Sequence, residues 1–125
     1  MDTWEFDFEW LRVQHIVKST MNRDRLPDLQ AVLFLIGIQE LGHVRKDFSK
    51  EEKQDLMHVA TCKLLEGKGY YEFVGRDEDG WPHYQLIKPI PKHSLEDQEH
   101  LLKRGVIDYF HMLERENGGF KEHPE

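Results

Sequence analysis

Four times in this chain a histidine follows an acid by three residues: Glu40 and His43, Asp55 and His58, Asp97 and His100, Asp108 and His111. On a helix such a pair projects from one face, and imidazole with carboxylate is a donor set that divalent transition metals accept. Helical bundles that hold two metal ions use a Glu-x-x-His pair from each of two helices with single carboxylates from the others. Glu40, His43, Asp55 and His58 are therefore the candidate ligands for a divalent metal. The competing reading is an acidic chain that makes such pairs by chance. Asp97, His100, Arg104, Asp108, His111 and Arg115 alternate in sign along one stripe, the pattern of a solvated helix face, so the last two pairs are assigned to the surface. His43 falls just past Gly42 and suits the negative end of a helix.

Other reactive types lack the neighbours their chemistry needs. Asp77-Glu78-Asp79-Gly80 resembles part of a calcium loop, but Gly75 and Leu86 stand where an EF-hand requires acids, so an acidic hairpin turn is the expectation. Cys62 lies in mid-helix between Thr61 and Lys63, without the clustered cations or helix N-terminus that activate a thiol, and is read as a packing residue. Neither a Gly-x-Ser-x-Gly elbow nor a phosphate-binding glycine loop occurs.

The elements that would position these groups can be read from periodicity. Trp4, Phe6, Phe8 and Trp10 alternate with Glu5, Asp7 and Glu9, which predicts an extended aromatic arm over residues 1–7. A helix is expected from about Phe8 to Met21, with Asp7 as its N-cap. A second runs from Pro27 to about Leu41. Its middle, Ala31 to Ile38, is apolar on every side, so it must be the centre of the core or be partly covered by another subunit. Ser49 and Glu52 form a capping box that opens a third helix from Lys50 to Glu66, stopped by Gly67. Tyr70 to Gly75 and Trp81 to Lys88 predict a hairpin with Tyr71, Phe73, Tyr84 and Leu86 on the side facing the helices and Trp81, Val74 and Ile87 on the outer side. Ser94 caps a last helix with Leu102, Val106, Phe110 and Leu113 as its stripe, and residues 118–125 are a polar tail. The expected fold is α+β: one helix-dominated domain over residues 1–125, in the order helix, helix, helix, hairpin, helix.

That order resembles a winged-helix arrangement, in which the third helix would enter the major groove and the hairpin would be the wing. The resemblance is one of element order, and the charges oppose it. Glu51, Glu52, Asp55 and Glu66 lie among the lysines of the third helix, the wing tip carries three acids, and the formal net charge is −7, so the charges argue against nucleic acid as a partner.

At 38% apolar and 33% charged residues the chain is wet, but its apolar residues fall in periodic blocks and it should fold. One cysteine excludes an internal disulfide, and the first residues lack a secretory pattern, so a reducing cytoplasm is expected. No apolar run approaches the roughly 20 residues of a membrane span. By elimination the first functional expectation is a non-enzymatic interaction or adaptor domain, with a protein partner or a homodimer formed through the second helix or the aromatic arm. Its candidate contact residues are Trp4, Phe6, Phe8, Trp10 and Trp81, because aromatic side chains are enriched in buried interfaces. Second is a metal- or small-molecule-binding protein using the paired histidines and acids of helices two and three. A nucleic-acid binder is third.

Overall fold

Gly37 is the point on which the fold turns. It sits mid-way along a helix, α2 (Leu29–Leu41), where a Cβ would stand 2.7 Å from the carbonyl carbon of Leu56 and closer still to its oxygen. Only a residue without a side chain lets α3 (Lys50–Glu66) lie so near. In this computed structural model, which describes residues 3–43, 47–92 and 94–117, every apolar residue of α2 is buried or half-buried by its own chain. The all-round apolar run thus makes α2 the central element. No large apolar side chain of α2 is among the exposed ones, although Phe34 and Ile38 are only half-buried.

The caps define the elements. Asp28 accepts the Ala31 N–H at 2.9 Å, so α2 begins at Leu29 rather than at Pro27, which lies buried just ahead of it. Gly42 closes α2 in the left-handed conformation, φ 79°, donating its N–H to Ile38. Ser49 and Glu52 make both halves of the expected capping box on α3. Ser94 accepts from Asp97 at the start of α4 (Leu95–Asn117).

One expectation is overturned at the first element. Residues 3–20 form a continuous helix, α1 (Thr3–Thr20), so among the described residues there is no extended arm, and Asp7 lies within the helix rather than at its N-cap. Successive residues of a helix are turned by about 100°, so residues two apart point nearly opposite ways. The strict alternation that suggested a strand therefore divides the aromatics between two sides of a helix. Phe6, with Val13 and Val17, is buried, and Trp10 packs half-buried against the same core. Trp4 and Phe8 point away.

The hairpin comprises β1 (Tyr71–Arg76) and β2 (Pro82–Leu86), antiparallel, with Tyr71 opposite Leu86 and Phe73 opposite Tyr84, four residues that the sequence placed on one face without fixing their register. A bulge between Phe73 and Gly75 then shifts the register, pairing Gly75 with His83 and Arg76 with Pro82. Such a bulge bends the strand. Only Tyr71 and Tyr84 of the expected inner face are half-buried, while Phe73 and Leu86 are exposed. Arg76 fixes the hairpin to the end of α2 by donating to the carbonyl oxygens of Glu40 at 2.7 Å and Leu41 at 3.2 Å, groups a helix end leaves unpaired.

α4 closes the structure with Val106, Ile107, Tyr109, Phe110 and Leu113 in the core. Beside the shared apolar core, polar contacts join it to α1: His111 Nε2 lies 3.0 Å from Glu9, Arg12 bridges Glu9 and Glu114, Lys103 lies over the Trp10 ring, and His100 stacks on Phe6. His100 is exposed even so, as the solvated stripe on α4 implied, while His111 is half-buried against Glu9. The polar tail, 118–125, lies outside the described residues.

Candidate functional site

The four candidate metal ligands do not converge. Glu40 faces α4, accepting the Tyr109 hydroxyl at 2.6 Å. Burial and the Glu40 carboxylate push the Tyr109 pKa far up, so that hydroxyl keeps its proton and holds Glu40. Asp55 and His58 instead line a cleft of about 480 Å³ between α3 and the hairpin. His43 lies in an adjoining depression and is exposed, its Nε2 2.9 Å from where a Cβ on Gly80 would stand. His58 is itself exposed, contrary to what a ligand held in a closed centre requires. Among the described residues no group of three or more His, Cys, Asp or Glu is placed to hold a metal ion.

The cleft collects residues that no single stretch of sequence announces. Trp81, which the alternation placed on the outer side of the hairpin, lines the cleft half-buried, with Tyr84 and His83 beside it. Its polar groups are mostly engaged in structure. Asp77 accepts the N–H groups of Asp79 and Trp81 at 2.9 and 3.0 Å and lies 2.9 Å from His83 Nε2. The His83 contact first, and then those backbone donors, hold its carboxyl below the usual carboxylate range. It braces the turn, which gives Asp77 a structural role there. Cys62 Sγ lies 3.5 Å from His58 Nε2, and burial, opposed by a hydrogen bond with Tyr71, pushes its thiol pKa up. A protonated, buried thiol is a poor nucleophile.

The outer face of α1 has a different character. Trp4, Phe8 and Leu11 recur at the i, i+4 and i+7 positions and are 67%, 60% and 43% exposed. At about 100° per residue they centre on the side opposite Phe6, Val13 and Val17. Exposed His15 continues the same line. Of the five candidate contact residues, then, Trp4 and Phe8 are presented to solvent, Phe6 and Trp10 serve the chain's own core, and Trp81 belongs to the cleft. Leu11 completes the exposed row. Its signal was present in the sequence, since Trp4, Phe8 and Leu11 have helical spacing, but an extended reading of residues 1–7 hides it. No described helix is long and apolar enough to cross a membrane, so this row does not belong to a spanning helix.

Comparison with protein-family models, curated proteins and solved structures finds no match to this chain.

Proposed function

We propose that this chain is a protein-interaction domain whose contact surface is the outer face of α1. One observation carries the reading: two large aromatic side chains and a leucine, all on the side of α1 that the core does not use, stand in water at 67%, 60% and 43% exposure. Scattered single apolar residues on a surface need no explanation, whereas an ordered row of them does. Anchors at i, i+4 and i+7 are how a helix engages an apolar surface on another molecule, and tryptophan is the residue type most enriched among those that dominate binding. The same residues contribute little to the chain's own stability, because folding leaves them in solvent.

The test is site-specific photo-crosslinking in cells of the protein's source, with the photoreactive group at Phe8 and, as a control, at Glu72, which is exposed on the hairpin. Discrete adducts from position 8 that are absent from position 72 are expected. No adduct from position 8, or the same ladder from both, would sink the reading.

The α3 and hairpin cleft supports a second reading, a small-molecule site, because its volume falls within the roughly 300–1,000 Å³ of ligand pockets and Trp81 and Tyr84 give it aromatic walls. A fragment screen followed by NMR tests it. Shifts confined to His58, Trp81 and Tyr84 support it, and their absence across the screen removes it.

A further inference from the structure

Resting on the reading of the α3 and hairpin cleft as a small-molecule site, we infer that its ligand is an organic cation, a protonated amine carried on a small apolar body. The charge of the lining is one-sided. Glu52, Asp55 and Asp77 supply three carboxylates, and among the described residues no lysine or arginine lines the cleft. His58 and His83 cannot reverse the sign, since even both protonated they would set two positive charges against three negative ones. Trp81 also walls the adjoining depression, where Asp79 adds a further carboxylate. A cleft lined by one sign of charge between low-dielectric walls concentrates ions of the opposite sign. Asp77 is engaged by His83 and the backbone of the turn, and Glu52 accepts the Ser49 N–H in the capping box. Asp55 makes no hydrogen bond or ion pair with another described residue, so its charge is left for a ligand.

The walls set the kind of cation. Trp81 and Tyr84, both half-buried, line the same cleft, and an aromatic ring attracts an ammonium group within about 6 Å of its centre, tryptophan most strongly. A metal ion asks for several donors converging at about 2.0–2.6 Å, and among the described residues no three His, Cys, Asp or Glu are so placed. An ammonium group is satisfied by carboxylates spread around it, because its attraction to them acts over a longer range. The volume of about 480 Å³ holds far more than a bare ion, and buried Val59 and Pro82 in the lining give an apolar body something to pack against. An anion would be repelled by the three carboxylates, and a neutral molecule would forgo their attraction.

The probes are benzylamine, benzyl alcohol and benzoate, which share a ring and differ in charge, each titrated into the full chain at neutral pH and followed by NMR. Benzylamine is expected to shift the Trp81 indole N–H and the amides of His58 and Tyr84, with a Kd on the order of millimolar. Benzyl alcohol should bind roughly fivefold or more weakly, and benzoate should leave the cleft unshifted. The benzylamine affinity should fall severalfold between about 10 and 300 mM salt. Asp55→Asn, a change at an exposed position, is expected to weaken benzylamine roughly threefold while leaving benzyl alcohol unchanged. Trp81→Leu keeps apolar bulk but removes the ring, and should weaken benzylamine at least as much. Circular dichroism checks that both variants keep the parent fold. Benzyl alcohol or benzoate binding as tightly as benzylamine overturns the cation inference and leaves the small-molecule reading standing. Benzylamine binding that salt or either variant leaves unchanged overturns it likewise. If none of the three probes shifts the cleft, the cation inference falls, and the fragment screen alone decides whether the small-molecule reading falls with it.

Discussion

Replacing Gly37 by alanine sets two effects of known size against each other. Alanine is favoured over glycine in a helix interior by about 1 kcal/mol, so on propensity alone the variant gains stability. The added methyl, however, would lie 2.7 Å from the Leu56 carbonyl carbon and 2.9 Å from the Leu56 Cβ, and nearer still to the carbonyl oxygen. Carbon atoms rest at about 3.5–4.0 Å, and because the obstacle is backbone, no rotamer change relieves it. α2 and α3 must separate, which loosens the Leu56 and Ile36 packing, both fully buried. Overpacking of this kind costs about 1–3 kcal/mol, and backbone collision puts it at the upper end. The net expectation is about 2 kcal/mol of destabilisation, a fall in Tm of roughly 6–12 °C for a chain this size. Thermal and urea unfolding followed by circular dichroism measure it. Gly105→Ala is the internal control: its methyl would stand 3.1 Å from the Leu64 Cβ, an overlap that a shift of a few tenths of an ångström relieves, so its change should lie within about 1 kcal/mol of zero. A Gly37→Ala variant as stable as the parent would refute the close approach of α2 and α3 and with it the central place of α2.

The two sides of α1 should separate cleanly by mutation: Phe6→Ala is expected to cost about 3–5 kcal/mol and Phe8→Ala less than about 0.5 kcal/mol, both read by urea unfolding. Ser49→Ala removes one half of the capping box and should cost about 1 kcal/mol in the same assay. Glu9 is held below the ordinary carboxylate pKa, first by its contact with His111 and also by Arg12. A lowered pKa contributes stability that is present above the unfolded value of 4.5 and is lost as pH falls through the lower folded value. Glu9→Gln should therefore flatten the decline in stability below about pH 4.5, and an acid limb identical to the parent's would show that the clasp contributes nothing.

What could be read from sequence followed the range over which each signal acts. The limits of α3 were legible because Ser49, Glu52 and Gly67 carry their meaning within a few residues, and α2 announced its centrality by having no polar side. The hairpin was legible for the same reason, but its register, the bulge at Val74 and the inward turn of Trp81 depend on what lies above them. α1 was misread over its first residues because period two has two physical solutions. A strand puts residues two apart on one face, whereas a helix turns them to nearly opposite sides and so accepts the same pattern by splitting it. The acids between the aromatics removed the usual clue, since neither face was purely apolar. The row of Trp4, Phe8 and Leu11 followed that misreading into obscurity. Glu40 was lost as a metal ligand for a different reason: its partner Tyr109 lies on α4, a relation across the fold that no spacing encodes.

The polar contacts between α1 and α4 bear on the order in which this chain takes shape. α2 and α3 are near neighbours in sequence and meet through apolar surface, so their contact closes a short loop at small entropic cost. Arg12 and Glu114, or Glu9 and His111, join positions about a hundred residues apart through groups that water solvates well before they meet. Such contacts reward the chain late, and they are released first under thermal fluctuation. Amide exchange in α1 should accordingly outpace that in α2, making α1 the segment whose ordering completes the molecule rather than begins it.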